Sequence, residues 1–375
     1  MKLCSDMIIK SIDLQNFRNY EELHLDFEDG ITILNGENAQ GKTNLLEAVY
    51  LAACCRSHRG AKDREMIRFQ QEEAHIRMLV RKEERDLRID LHLKKDRSRG
   101  IAVNAVPVRK TRDYLGLLNC VLFSPEDLQI VKEGPSERRN FIDNELCQLD
   151  KIYLNSFMQY RKALEQRNQL LKDIYYMPEL LDTLDLWDEQ LAKFGSEIIE
   201  RREDFIRDLS EITKPIHEKL SGGRESLTLV YEKNTDASEF LTELRKNRDR
   251  DLKTKTTGTG PHRDDVSFVL KTENPGEEEL DARIFGSQGQ QRTCALSVKL
   301  AEIELVKLRT GDEPVLLLDD VLSELDTLRQ QYLLESIRDI QTIITCTGLT
   351  EFVSHPFEKS LVYDVEKGRI RKHGE

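Results

Sequence analysis

Two groups of residues in this chain have the types and spacing to handle a phosphate. The first is Gly36, Glu37, Asn38, Ala39, Gln40, Gly41, Lys42 and Thr43, which fits the phosphate-loop pattern G-x-x-x-x-G-K-[ST] without a mismatch. Glycines let backbone N–H groups curl round an anion, and a following helix adds the positive end of its dipole. In such a loop Lys42 reaches the β- and γ-phosphates and Thr43 ligates Mg²⁺. The second group is Pro314-Val-Leu-Leu-Leu-Asp319-Asp320, four apolar residues ending in two carboxylates. Asp319 is placed to hold Mg²⁺ beside Thr43, and Asp320 to orient or deprotonate an attacking water. Either run alone has a bland reading, a glycine turn or an acidic turn. Together they indicate a nucleoside triphosphate site.

The flanking elements must place these groups. Gly30-Ile-Thr-Ile-Leu-Asn35 reads as a short buried strand and Asn44-Leu-Leu-Glu-Ala-Val-Tyr-Leu-Ala as a helix, giving strand, loop and helix in order. The 314–320 run reads as a buried parallel strand that delivers its acids at the C-terminal end, where open α/β sheets bind ligands. Thr43 and Asp319 are far apart in sequence, so an insertion must split the nucleotide-binding fold. The charged, helical, glycine-poor region 136–219 is the candidate, with Tyr153, Phe157, Tyr160 and Leu164 at helical spacing. Residues 8–34 and 74–108 alternate as strands, and strand character returns at Leu227-Thr-Leu-Val-Tyr231 before the polar stretch 234–260. Ser287, Gly289 and Gln290 precede a long helical run, a second anion site at a helix start that is free to serve another subunit's nucleotide. Ser323-Glu-Leu-Asp326 follows the acidic strand, where dimer contacts could reach an opposing site.

The bulk properties narrow the class. No apolar run approaches the ~20 residues of a membrane span. The first residues lack the apolar core of a signal peptide, and the seven cysteines form neither a C-x-x-C pair nor a disulfide framework. A reducing cytoplasm is the expected setting. The net charge of −12 argues against a polyanion partner, but its distribution does not. Between Arg56 and Arg112 there are 17 Lys/Arg against 9 Asp/Glu, a local excess of 17 − 9 = +8. That segment is either a face for nucleic-acid phosphates or a solvated surface of charged hairpins, and charge alone leaves both open.

Six ordered segments carry a family resemblance: Asn16-Phe-Arg-Asn-Tyr20, Gly36 to Asn44, Phe123-Ser-Pro-Glu-Asp-Leu128, Gly260-Pro-His-Arg-Asp-Asp265, Ser287-Gln-Gly-Gln-Gln-Arg292 and Leu316 to Asp326. In these the chain resembles the RecF family, bacterial DNA repair and recombination-mediator ATPases related to the ABC-type heads of SMC and Rad50 proteins. The fold this implies is α/β, an ABC-type P-loop ATPase lobe with a β-rich subdomain plus an inserted, mainly helical lobe. The corresponding division is 1–124 for the N-terminal part of the ATPase lobe, 125–230 for the helical insertion and 231–375 for the C-terminal part.

The resemblance also implies roles. Asn44 joins the nucleotide-binding set, and Ser287, Gly289 and Gln290 match the signature motif that contacts the γ-phosphate held by a second subunit. Asp319 matches the metal carboxylate, and Asp320 stands where most ABC-type ATPases have glutamate, which suggests slow turnover. Glu126 or Asp127 takes the place of the Q-loop glutamine, and Thr347 that of the switch histidine. Arg18 and Asn19 could line the nucleotide, whereas Phe17 reads as core. The His262-Arg-Asp264 triplet lacks the asparagine of a kinase catalytic loop and is read as coupling the lobes or as functional in its own right.

The implied activity is that of an ATP-dependent DNA-binding protein in replication, recombinational repair and the SOS response. An ATP-dependent homodimer with Mg²⁺ would bind duplex DNA at single-strand junctions, helped by RecO and RecR to load RecA, with weak ATPase activity releasing it. Two alternatives share the chemistry. A transporter ATPase subunit would need a coupling groove and usually a histidine switch, and a chromosome-organising head would need far longer coiled-coil arms.

Overall fold

The computed structural model describes residues 7–82, 85–272, 279–348 and 360–374. The chain divides into two compact units, residues 1–127 with 302–375, and residues 128–301.

The first unit holds two sheets and a central helix. One sheet is antiparallel and contains β1 (Met7–Phe17), β2 (Tyr20–Asp26), β4 (Glu73–Lys82), β5 (Arg85–Lys94), β6 (Gly100–Val103) and β7 (Val106–Pro107), ordered β2-β1-β4-β5-β6-β7. Its strands alternate buried and exposed residues, the pattern of a sheet with one wet face. The other contains β3 (Ile31–Asn35), β8 (Cys120–Phe123), β12 (Val315–Asp319), β13 (Thr342–Cys346), β14 (Ser360–Glu366) and β15 (Arg369–Lys372), ordered β15-β14-β3-β13-β12-β8. Apart from the β14–β15 hairpin its pairings are parallel, and β8, β12 and β13 are buried at every residue, as strands covered on both faces must be. Helix α1 (Lys42–Cys54) contacts strands of both sheets, and Leu45, Leu46, Ala48, Val49, Leu51 and Ala52 are fully buried. A helix apolar on all sides can be stable only in such a slot. Gln341 ties the two sheets, its side-chain amide bonding Ile9 N–H at 2.7 Å and Ile9 C=O at 2.8 Å. The short α2 (Asp63–Met66) and α11 (Thr327–Ser336) complete the unit.

The second unit is built on helices α3 (Leu128–Lys132), α4 (Pro135–Leu149), α5 (Lys151–Asp173) and α6 (Leu184–Leu220), with α6 packed on α5 and on a sheet of β9 (Glu225–Glu232), β10 (Asp265–Thr272) and β11 (Leu280–Asp281). The polar stretch after β9 contains two short helices, α7 (Phe240–Lys246) and α8 (Arg248–Thr254). They are anchored by buried Phe240 and Leu244, and by Asp251 bonded to Arg167 at 2.7 Å. Helices α9 (Ala282–Phe285) and α10 (Gln288–Thr310) follow, so residues 231–301 pack with the helical unit although chain order groups them with the later acidic strand.

Segment 260–265 lies within this unit. Asp265 takes a two-point bond from Arg138, at 2.6 and 3.0 Å, and Asp264 bonds Arg202 at 3.2 Å and Asn234 N–H at 2.9 Å. His262 Nε2–H donates to the Thr257 carbonyl at 3.0 Å, so its Nδ1 accepts from Tyr160 at 2.7 Å. These bonds tie the segment leading into β10 to α4, α5 and α6, a structural use of the His-Arg-Asp triplet inside one unit.

Candidate nucleotide site

Residues 36–43 link β3 to α1, with Glu37, Asn38 and Ala39 exposed at the crest. Gly41 has φ +119°, and a Cβ on Gly36 would come within 2.4 Å of the Val365 carbonyl oxygen. Both positions therefore favour glycine on backbone grounds. The Lys42 ammonium folds back to donate to the Gly36 carbonyl and, at 3.1 Å, to that of Glu37. Burial pulls its pKa down, against the raising effect of Asp320, Cys346 and Asp319.

Asp319 ends β12 and is almost wholly buried. Its Oδ1 accepts from Thr43 Oγ1 at 2.9 Å, closing a gap of 276 residues, and from Thr345 Oγ1 at 2.8 Å. Strand order accounts for this: β13 lies between β3 and β12, and Asp319 is in register with Thr345. The Thr345 hydroxyl also accepts from Asp320 N–H at 2.9 Å, which holds Asp320 at φ +54°. Thr347, the sequence candidate, lies exposed beyond the strand end. Thr345 is the residue that sequence reasoning passed over, and its signal was only the register of two adjacent strands. Of the two Q-loop candidates, Asp127 caps its own turn through Ser124 N–H at 2.8 Å, and Glu126 is exposed.

The loop is braced from outside. Asn19 Nδ2 donates to Gln40 C=O at 3.0 Å, its Oδ1 accepts from Asn44 at 2.8 Å, and Tyr20 donates to Gly41 C=O at 3.0 Å. The β14–β15 turn adds Lys367 N–H to Gln40 Oε1 at 2.8 Å and Gly368 N–H to Gln40 C=O at 3.0 Å. Arg18 forks onto Glu47 of α1 at 2.7 and 2.8 Å. Burial pushes the Glu47 carboxyl up, but the Arg18 fork and the Ser57 hydroxyl outweigh it and hold the group below its ordinary value. Phe17 is core, as expected. The 16–20 segment thus braces the loop and α1.

In the second unit, Ser287 and Gln290 cap α10 reciprocally: Gln290 N–H donates to Ser287 Oγ at 3.2 Å and Ser287 N–H to Gln290 Oε1 at 2.8 Å. Ser287 and Gly289 are exposed, and a Cβ on Gly289 would meet only Ser287 Oγ, at 4.0 Å. Among the described residues nothing demands glycine there. Ile284 and Phe285, just before this cap, are 60% and 66% exposed, as is Leu328 at 61% after the acidic strand.

The basic segment divides in two. Arg77 pairs with Asp90, Lys82 with Asp312, Lys95 with Glu72 and Arg99 with Asp63. Among the described residues the side chains of Arg59, Lys62, Arg64, Arg97, Arg109 and Lys110 make no ion pair with a carboxylate, although the Lys62 backbone N–H donates to Glu65 at 2.9 Å. The Arg99–Asp63 pair and the Arg99 bond to Cys55 C=O at 2.7 Å pin the β5–β6 connection against α2.

The RecF/RecN/SMC N-terminal domain profile matches residues 8–368. A DNA replication and repair protein RecF from Agathobacter rectalis is 55% identical over 97% of this chain and 99% of its own length. The chain belongs to the RecF family of DNA replication and repair proteins. A second RecF, from Lachnoclostridium phytofermentans, is 54% identical over 98% of this chain and all of its own. Among solved structures, that of the recombination mediator protein RecF-ATPrS in the RecFOR pathway superposes with TM-score 0.90 at 35% identity, covering all of both chains. The Smc head domain of Pyrococcus furiosus shares the fold, with TM-score 0.57 at 16% identity over 98% of this chain and 96% of that one. The expected class, an α/β ABC-type ATPase head with a helical region, is therefore correct for this RecF-family chain. No helix among the described residues is long and apolar enough to cross a membrane.

Proposed function

We propose that the chain is an ATP-dependent DNA-binding switch of replication and recombinational repair, in which two copies sandwich two ATP molecules. The observation that carries this is the Thr43–Asp319 contact at 2.9 Å, which assembles a phosphate loop and an acidic strand end into one site. Backbone N–H groups of 36–43 would receive the β- and γ-phosphates, and the Lys42 ammonium would exchange the Gly36 and Glu37 carbonyls for them. The Thr43 hydroxyl and Asp319 carboxylate are the hard oxygen donors that Mg²⁺ takes, and they would hold it. When bound, Mg²⁺ supplies charge neutralisation at the phosphate oxygens.

Asp320, fixed through Thr345, would orient the attacking water and accept its proton. The Ser287 oxygen already accepts from Gln290, which leaves its hydroxyl proton for a γ-phosphate on the second copy. Gly289 and the α10 N-terminus would approach that phosphate closely, and exposed Ile284, Phe285 and Leu328 would be covered in the dimer. Hydrolysis removes the phosphate that bridges the copies, so the dimer opens and DNA is released. Duplex DNA near single-strand gaps would be held by phosphate contacts from the basic residues Arg59, Lys62, Arg64, Arg97, Arg109 and Lys110, independent of sequence and sensitive to salt. The solved RecF relative is named for the RecFOR pathway, which supports RecO and RecR as partners and assistance to RecA loading in the cytoplasm.

The test is fluorescence anisotropy on gapped, duplex and single-stranded DNA with ATP, ADP or no nucleotide. Binding should require ATP, be lost in Lys42→Met and persist longer in Asp320→Asn, since asparagine tolerates the left-handed backbone. Equal binding with and without nucleotide would overturn the reading.

A further inference from the structure

The outer face of the antiparallel sheet carries a rung unlike its neighbours. Arg77 and Asp90 lie opposite each other on β4 and β5 and pair at 2.8 Å, as charged rungs normally do. The next rung places His75 opposite His92, with the rings stacked at 4.0 Å between centroids and 26° between planes. Two residues before His75, on the same face, Glu73 turns its carboxylate to both rings. His92 Nε2 lies 2.8 Å from Glu73 Oε2, and His75 Nε2 lies 3.7 Å from Glu73 Oε1. The three donor atoms are all within 4.8 Å of one another, the sole such group of histidine, cysteine and acidic residues among those described.

We propose that Glu73, His75 and His92 form a binding site for a divalent transition-metal cation of the zinc class. Two imidazole nitrogens and one carboxylate oxygen are a donor set that zinc takes, with the remaining position left to water. Magnesium and calcium, which require oxygen, would not compete. The backbone beneath is rigid, because the alternate residues Ala74, Ile76, Leu91 and Leu93 are buried in the core of the unit. The positions therefore need no assembly when the cation arrives. In the metal-free form the His92 Nε2–H donates to Glu73. Binding moves the imidazole proton to Nδ1, so Nε2 and the carboxylate oxygen both turn to the cation. The bound ion would staple β4 to β5 on the solvent side. This site is separate in chemistry from the oxygen-only pair of Thr43 and Asp319.

The full-length chain, stripped with chelator, is titrated with Zn²⁺ by calorimetry and with Co²⁺ by visible absorption, and its melting temperature is read with and without Zn²⁺. One equivalent should bind and raise the melting temperature. His75→Ala and His92→Ala should each abolish both effects, and Glu73→Gln should weaken them. All three side chains are on the solvent face, so the variants should keep the wild-type circular dichroism and ATP affinity. A Cys55→Ser, Cys147→Ser double variant, which removes the two part-exposed described thiols, should bind as wild type does. Titrations of the histidine variants that superimpose on wild type, or a wild type that takes up no Zn²⁺, would overturn the proposal.

Discussion

Thr345 gives the sharpest test of how the site is built. It is fully buried and works through two bonds: a donor to Asp319 at 2.8 Å and an acceptor for Asp320 N–H at 2.9 Å. Thr345→Val keeps the shape and removes the hydroxyl. A hydrogen bond to a charged group contributes ~1.5–3 kcal/mol, and a stranded buried N–H costs ~1–3 kcal/mol. Asp319 keeps Thr43, and half-buried Asp320 can recruit water, so the total should fall below that sum, at about 2–3 kcal/mol. The freed Asp320 then has little to hold it in the left-handed region, which costs a non-glycine residue ~1–2 kcal/mol. A carboxylate displaced by about 1 Å can cost ~10²-fold in rate. Urea unfolding with and without Mg-ATP, combined with phosphate release, separates the effects. Thr345→Val should unfold at lower urea and turn over at least tenfold more slowly with ATP affinity little changed, whereas Thr345→Ser should approach wild type. A valine variant with wild-type stability and turnover would refute the assignment of Thr345 as the residue that positions both carboxylates.

Three further outcomes follow from named contacts. Gly289→Ala should leave the monomer's stability unchanged or raised by up to ~1 kcal/mol, because a Cβ meets nothing closer than 4.0 Å and alanine favours helix, yet it should abolish ATP-dependent dimers in analytical ultracentrifugation. Arg18→Ala leaves the buried Glu47 carboxylate with only Ser57, and should cost about 2–3 kcal/mol in urea unfolding, below the ~3–5 kcal/mol of a fully buried pair because Arg18 is 20% exposed. Since the folded pKa of Glu47 is depressed, that stabilisation is complete above the ordinary carboxylate range and is lost as pH falls below about 4. His262 is lowered to about 4, first by burial and then by Arg263, Arg139 and Arg202 against the raising effect of its Thr257 bond. The unfolded chain therefore takes up the proton first, so its contribution is full above pH ~6.5 and declines by up to about 3 kcal/mol towards pH 4. His262→Gln should flatten that part of the stability–pH curve, as measured by urea midpoints across the window.

The sequence was most legible where function requires a backbone shape. The 36–43 loop needs glycine at fixed positions, and a buried parallel strand needs an unbroken apolar run before its acids, so both announce themselves without a fold. Short-range periodicity likewise marked β1 to β3, β9 and the helices between 136 and 219. Arg18 and Asn19 were harder, because a polar residue near a phosphate loop is equally suited to lining the ligand or bracing the loop. Only the tertiary structure shows the bracing contacts, to Glu47 and Gln40.

By itself the sequence determined the chemistry available: a loop of the phosphate-binding pattern, two acids at the end of a buried strand and a capped helix start, in the order of one family. Tertiary structure decided which of these meet. Thr43 and Asp319 become neighbours because β13 enters the sheet between β3 and β12, and the same insertion delivers Thr345 rather than Thr347. The cross-strand pairings of His75 with His92 and of Arg77 with Asp90 also arise from register. Register is a long-range property, set by the burial of whole strand faces, and no local pattern of residue types records it.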